Sequence, residues 1–499
     1  MTTKQWSVSE NVPCNMDVGR AARQGGAWAL ISYGFTKATG FASSIVLARL
    51  LMPEHFGLIG MVNTVTAMVQ TLGASGISAA VIHQREDVEA HANTAWWIDL
   101  FVGIGLFIIA NLSAPIAAAY YQEPRIRLIL AVVSLNFLIN PLGNMMDVLL
   151  RRGLQFRVST KINLICGFIA AVLTILFAFL GAGVWSFVYP HLIAGVVGVF
   201  LKWHFSSFRP SRRVDWTLAR GLWRFGRNMF GSGIFHYINQ NADYLIVGRL
   251  LGGRELGLYV FAYNLGTWIV SNVSWTISDV LFPTTASLQH DQERAKAMFL
   301  KLIRLISLVG FPIACIQWAI APVFIGAIYG SKWLPAMNAF RLIALYGMGR
   351  AVCGPALTLV SALGRPDINL KMTALTSPFL VVGLYIGAHY GITGVALATA
   401  LVHGLFVWFY MVVPFRVLGW NPVDSIKAIT PALVCSVMAG CLTALVYWAL
   451  GGAVTSLSLL AVLLLIGFGS YVLFVRVLFG AVALETVSTL RKTIRDARA

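Results

Sequence analysis

Apolar residues run along this chain in stretches of about 20 or more, the length that crosses roughly 30 Å of hydrocarbon. Short polar or glycine-rich links separate them. Spans are predicted near 26–50, 56–81, 94–119, 126–150, 159–181 and 183–204. Six more follow near 228–251, 256–282, 302–328, 338–363, 369–389 and 391–414, and a last pair near 428–451 and 454–477. Links as short as Gly181-Ala182-Gly183 leave the count between twelve and fourteen. The pattern divides the chain into a tail (1–25), an N-lobe (26–204), a linker (205–227), a C-lobe (228–415), an extra helix pair (428–477) and a second tail (478–499). It predicts an all-α polytopic membrane protein of about fourteen transmembrane helices.

Composition agrees. Charged residues are 11% of 499 positions and hydrophobic ones 58%, whereas a soluble protein carries about 25% charged residues. The net charge of +18 raises nucleic-acid binding as a question. No RNA- or DNA-binding motif accompanies it, and basic loops that orient membrane helices account for it. With the N-terminus inside, 28 of 37 Lys and Arg fall on the cytoplasmic side. Seven fall outside (Arg49, Arg125, Arg127, Arg249, Arg254, Lys332 and Arg341), and Lys37 and Arg350 lie within spans. That split predicts a membrane protein with both termini cytoplasmic. Residues 1–24 lack the apolar core of a signal peptide and read as a cytoplasmic tail, with Arg20 and Arg23 at the membrane surface. Five of the six cysteines lie in apolar spans and none forms a CxxC pair, so they read as small packing residues.

The chain repeats itself at an offset of 200. The 35 residues from Gly26 and the 35 from Gly226 share nine positions without a gap. The sharpest block is Arg49-Leu50-Leu51 with Gly57-Leu58 against Arg249-Leu250-Leu251 with Gly257-Leu258. An even number of spans per unit makes the repeats parallel, and two such lobes face to face frame a central cavity.

A charge inside a span costs roughly 2.5–3.5 kcal/mol on insertion scales, so each needs a reason. Lys37 and Arg350 lie mid-span in opposite lobes, and either faces the cavity or pairs within its bundle. Span 7 carries His236, Asn239, Gln240 and Asp243 on one face, and span 1 carries Tyr33, Lys37, Gly40 and Ser44. Such stripes need water, protein or substrate opposite them, and interhelical hydrogen bonding serves as well as a substrate. Span 4 carries Asn136, Asn140, Asn144 and Asp147 and ends in Arg151-Arg152. Those arginines read as snorkelling anchors or as first contacts for a phosphate at the cytoplasmic entrance. Asp99, Asp243 and Asp279 are candidate ion carriers or buried pairing partners. No GxxxxGK[ST], HExxH or GxSxG motif is present. Transport would then draw on an ion gradient, the membrane potential or a substrate gradient, with no cofactor.

Several segments resemble the polysaccharide transporter family of lipid-linked oligosaccharide flippases. They are ADYLIVGRLLGGRELGLYVFAYNL at 242–265, LFPTTASLQHDQER at 281–294, the YGSKW-x-PA stretch at 329–336 and SALGRPD at 361–367. In the first half, ARLLMPEHFGLIGM and LLRRGLQFR fill the corresponding places. That family belongs to the multidrug/oligosaccharidyl-lipid/polysaccharide exporter superfamily. The resemblance implies two six-helix lobes in a V, alternating access, and outward flipping of undecaprenyl-pyrophosphate-linked sugar units for exopolysaccharide or lipopolysaccharide synthesis. It implies that cavity cations, here Lys37 and Arg350, meet the pyrophosphate, with Tyr33, His236, Gln240 and Asn140 as further cavity candidates. It implies that the extra helix pair helps hold the lipid tail, and that polymerase and chain-length components are partners beside membrane lipids. A multidrug or metabolite antiporter of the same superfamily would share this architecture. A polymerase or ligase would show a large periplasmic loop, which is absent.

Overall fold

The computed structural model describes residues 34, 36–37, 39–73, 88–153, 155–211, 234–268, 291–362, 365–450 and 456–480. Arg20, Arg23, Cys14, Tyr33 and Asp279 lie outside the described residues. The first half contains α1 (Thr39–Leu50), α2 (Pro53–Leu72) and α3 (Val88–Tyr121). It continues with α4 (Ile126–Ile139), α5 (Pro141–Arg152), α6 (Phe156–Phe179) and α7 (Trp185–Phe205). The second half contains α8 (234–250) and α9 (252–268), then α10 (Gln292–Phe324), α11 (Met337–Ala362), α12 (Pro366–Ala388) and α13 (Gly391–Val417). A last pair, α14 (Val423–Ala449) and α15 (Leu457–Leu478), follows. Among the described residues nine helices are long and apolar enough to cross a membrane, ten if α4 and α5 count as one bent span. Spans 1, 2, 7 and 8 are described over part of their length.

Local chemistry sets the boundaries. Asp291 caps α10 by accepting the Arg294 amide at 3.1 Å, and Ser456 caps α15 by accepting the Leu459 amide at 3.1 Å. α10 loosens into a π turn at Ile325–Tyr329 and then a 3₁₀ turn at Ser331–Ala336, with Gly330 at φ +98° between them. Glycine takes that left-handed backbone without a Cβ clash.

Span 4 is not one straight helix. α4 and α5 meet at a 42° bend. Pro141 opens α5, and it has no N–H to give the carbonyl four residues back. The Phe137 carbonyl and the Pro141 ring instead pack against Gly103 of α3, where a Cβ would overlap them. Asn136 donates to the Val133 carbonyl at 3.0 Å, while Asn140 sits at the bend and is exposed. The single polar stripe expected over Asn136–Asp147 is thus divided between two helix axes.

The largest core draws on both halves, with Leu58, Met61, Tyr259, Phe261, Trp333 and Phe340 in one cluster. The extra pair packs on α10. Gly440 approaches Cys315, Gly467 approaches Ile316 and Thr443, and the Tyr471 hydroxyl donates to the Leu308 carbonyl at 2.8 Å. Small residues permit that close approach, as expected where lipid supplies no hydrophobic drive between helices. Leu405, Leu465 and Trp448 are each exposed by more than 70%, which a hydrocarbon solvent accommodates. The five described cysteines are free thiols.

Candidate functional site

Three groups of residues stand out, and the first is a seam between the halves. α2 and α9 cross at Gly57 and Gly257. A Cβ on Gly57 would overlap the Gly253 carbonyl oxygen, and one on Gly257 would overlap the Pro53 carbonyl oxygen. The two contacts are related by the same 200-residue offset, as an approximate twofold between the repeats requires. Around the crossing each half caps a helix end of the other. Arg49 donates to the carbonyls of Ala327 and Ile328, at 2.5 and 2.7 Å. Lys332 donates to those of Arg49 and Leu51, at 2.9 and 2.7 Å, and the Trp333 indole donates to that of Ala48 at 2.8 Å. Carbonyls at a helix C-terminus lack intrahelical donors and carry partial negative charge. A cation and an indole from the opposite half therefore suit them. Arg249, the repeat counterpart of Arg49, lies over the Tyr120 ring at 5.9 Å, and Arg254 reaches Glu54 at 3.7 Å. Four of the seven cations assigned to the outer side by sequence thus serve the seam. Nearby, Arg125 donates from two guanidinium nitrogens to Glu123, both at 2.8 Å, and holds that carboxyl below its usual range.

The second group is a polar cluster inside the C-terminal half. Arg350 of α11 donates to the hydroxyls of Tyr263 and Tyr346, at 2.8 and 3.0 Å, and to Gln240 Oε1 at 3.2 Å. All three acceptors are neutral, so they solvate the guanidinium without cancelling its charge. Asp243 of α8 is buried. Its Oδ2 accepts the Tyr259 hydroxyl at 3.0 Å and its Oδ1 the Tyr244 amide at 2.9 Å. The Tyr259 hydroxyl lies 3.4 Å from Thr399 Oγ1. Tyr244 meets both Tyr259 and Tyr263 edge-on, at 6.0 and 5.8 Å between ring centres. The aromatic wall therefore links the carboxylate to the arginine. Asn239, on the same face of α8, donates to Ser377 Oγ and acts between helices. His236 is exposed.

The third group lies in the N-terminal half and is less connected. Lys37 is half-buried. One turn on, Phe41 stacks on Trp268 of α9 at 5.1 Å, so this segment also abuts the other half. Asp99 is half-buried and makes no hydrogen bond or ion pair among the described residues. Arg151 pairs with Asp147 at 2.9 Å, and Asp147 also accepts the Ser159 hydroxyl at 2.7 Å. Arg152 is half-buried beside them. The structure therefore joins Gln240, Asp243 and Arg350, and does not join them to Asn140, Asp99, Arg151 or Arg152. Among the described residues no group of three His, Cys, Asp or Glu could hold a metal ion.

Sequence reasoning passed over the seam and the tyrosine wall. The signals were present, because the Arg-Leu-Leu…Gly-Leu block marked the repeat and YGSKW was a matched motif. Neither says which surface it meets.

Residues 46–338 match the model of a family described as polysaccharide biosynthesis protein. The chain belongs to that family. It is 26% identical to the lipopolysaccharide biosynthesis protein WzxC of Escherichia coli K12 over 404 residues, 79% of this chain and 81% of the relative. It is 28% identical to the succinoglycan biosynthesis transport protein ExoT of Rhizobium meliloti over 342 residues, 67% of each. Its fold resembles the lipid II flippase MurJ in an inward closed conformation, with TM-score 0.72 and 13% identity over 91% of this chain and 99% of that one. An inward-facing multidrug transporter of the MATE family aligns with TM-score 0.61 and 14% identity, covering 77% of this chain and 94% of that one. The family match spans both the seam and Gln240, Asp243 and Tyr263, since its range includes them.

Proposed function

We propose that this family member flips lipid-linked oligosaccharide units, carried on undecaprenyl pyrophosphate, from the cytoplasmic to the periplasmic leaflet by alternating access. The observation that carries this reading is the reciprocal seam between two repeats within a MurJ-like fold. In this reading a contact built from one reciprocal glycine crossing and helix-end caps closes the outer end of the molecule and separates as the halves move, without unfolding either. Lys37 and Arg350 are assigned to the substrate's phosphates, and Asp243 to ion coupling. Arg151 and Arg152 are placed at the cytoplasmic entrance. Tyr33, His236, Gln240 and Asn140 are assigned to the cavity wall. Membership of a polysaccharide biosynthesis family favours this substrate over a drug, and a polymerase on the far side would consume the product.

The test is flipping of labelled lipid-linked oligosaccharide in reconstituted vesicles. A pyrophosphate diester carries two negative charges, and each contributes about 2.3 kcal/mol per 100 mV across the full field. Flipping should rise when the compartment equivalent to the cytoplasm is made negative at fixed pH and Na⁺. No flipping of the lipid-linked sugar, with transport of a drug cation instead, would replace this reading with the multidrug one.

Orientation is tested separately at Ser211. The Ser211 amide donates to Asn93 Oδ1 at 2.6 Å and its carbonyl accepts the Trp97 indole at 2.7 Å. The linker is thus tied to the start of α3 through backbone groups, which a Ser211→Cys change leaves intact. With this linker cytoplasmic, the new thiol resists a membrane-impermeant maleimide in intact cells and reacts after permeabilisation. Ready labelling in intact cells would invert the topology.

A further inference from the structure

Away from the seam and the tyrosine cluster, α12 and α13 enclose a groove of about 320 Å³ at the end where α12 begins and α13 finishes. Its floor is Ile368 and Met372, both buried, against which Phe409 and Val413 pack. Its rim is charged. The Arg365 guanidinium donates to Asp367 Oδ1 at 3.2 Å, and Lys371 Nζ lies 3.8 Å from Asp367 Oδ2. Two cations therefore share one carboxylate, which leaves a single positive charge. All three side chains are exposed, at 52%, 79% and 46%. Exposed pairs of this kind add little stability, so the rim is not explained as a fold-holding device.

The groove also has a direction. Leu375 lines it, and Phe379, Val382 and Ile386 continue along the same exposed face of α12 at helical spacing. A cationic rim leads without interruption onto an apolar stripe that runs toward the other end of the helix. A soluble anion would use only the rim and an acyl chain only the stripe. A lipid whose headgroup bears one net negative charge uses both. Basic pockets between membrane helices bind such headgroups, and charge-assisted bonds from a guanidinium and an ammonium suit a phosphodiester.

We propose that the α12–α13 groove is a binding site for an anionic glycerophospholipid, its phosphate on Arg365 and Lys371 and one acyl chain along Leu375 to Ile386. Asp367 acts as an internal competitor that the phosphate displaces from its two cations. The site is independent of the transported substrate and requires only that the chain lies in a membrane.

Native mass spectrometry of the purified full chain tests this, using phosphatidylglycerol and phosphatidylethanolamine at equal concentration and no lipid-linked sugar. The wild type should retain phosphatidylglycerol in preference. The double change Arg365→Gln with Lys371→Gln should weaken that retention about tenfold or more. Asp367→Asn should strengthen it, because it removes the competitor. This opposite sign keeps the proposal testable if the double variant folds poorly. Glycerophosphate at the same concentration should not displace the lipid, since it lacks the chains. Equal retention of both lipids, an unaltered double variant, weaker retention in Asp367→Asn, or displacement by glycerophosphate would each overturn the proposal.

Discussion

Gly57→Ala is expected to stop export while the protein still accumulates in the membrane at its normal level. Gly57 lies inside α2, a regular helix, where alanine is intrinsically better than glycine by about 1 kcal/mol. The substitution therefore does not weaken its own helix. Its cost falls on the crossing, where the added methyl would overlap the Gly253 carbonyl oxygen. Backbone at that point cannot rotate away as a side chain tip would. Overpacking costs about 1–3 kcal/mol even where side chains can yield, and each 1.4 kcal/mol is tenfold in population. The closed seam should thus lose about fivefold or more against its open alternative. A cysteine at Val260, which is buried beside Gly60, reads this directly. In intact cells, after subtraction of labelling in the parent protein, it should react slowly with an impermeant maleimide alone and rapidly alongside Gly57→Ala. Unchanged labelling together with normal export would mean that the seam never limits the cycle. Gly257→Ala should behave in the same way, because the crossing is reciprocal.

Arg350→Ala should lower export by roughly tenfold or more, since a hydrogen bond to a charged group is worth about 1.5–3 kcal/mol. The loss has two sources that a second variant separates. The Tyr263 and Tyr346 hydroxyls and Gln240 Oε1 all lose their donor, and the cluster loses its positive charge. Arg350→Lys keeps the charge but not the planar fork. If the charge meets substrate phosphate, the lysine variant recovers much of the export and its apparent affinity falls less than that of the alanine variant. If the fork only braces the tyrosines, both variants fail alike and membrane abundance falls with them. Full export by Arg350→Ala would remove this residue from the site. Lys37→Ala, examined in parallel, separates the two halves: an equal loss would place both cations on one transport path.

Much of the fold was legible because lipid imposes a simple rule. Backbone polar groups without water must bond internally, so a long apolar run becomes a helix whatever surrounds it. The predicted boundaries of α6, α7, α11, α12 and α13 agree with the structure to within a few residues. Span 9 begins ten residues before its predicted start, at Gln292, and span 3 six before, at Val88; span 4 departs in shape, although Pro141 was visible in the sequence. The 42° bend depended also on Gly103 of another helix making room for the freed Phe137 carbonyl.

The candidate site was legible in part. Helical spacing put Gln240 and Asp243 on one face of α8, and the structure turns that face into its own lobe beside Arg350. Spacing could not say that Arg350 would be held by neutral oxygens, nor that Tyr259 would meet Asp243 with Thr399 beside the Tyr259 hydroxyl. Those partners lie 16 residues or more from Asp243 or Arg350 in sequence, apart from Tyr346, one helical turn from Arg350.

By itself the sequence determined the solvent, the helices, the 200-residue repeat and the family. Each follows from local hydropathy or from order along one chain. Only the tertiary structure decided what the repeat is for. Arg49 and Arg249 are the same letter in the same motif. Yet one caps the carbonyls of Ala327 and Ile328 while the other lies over Tyr120. That difference arises because a cation near a membrane surface takes whichever acceptor the opposing helix end presents. The acceptor belongs to a part of the chain almost 280 residues away in one case and 129 in the other.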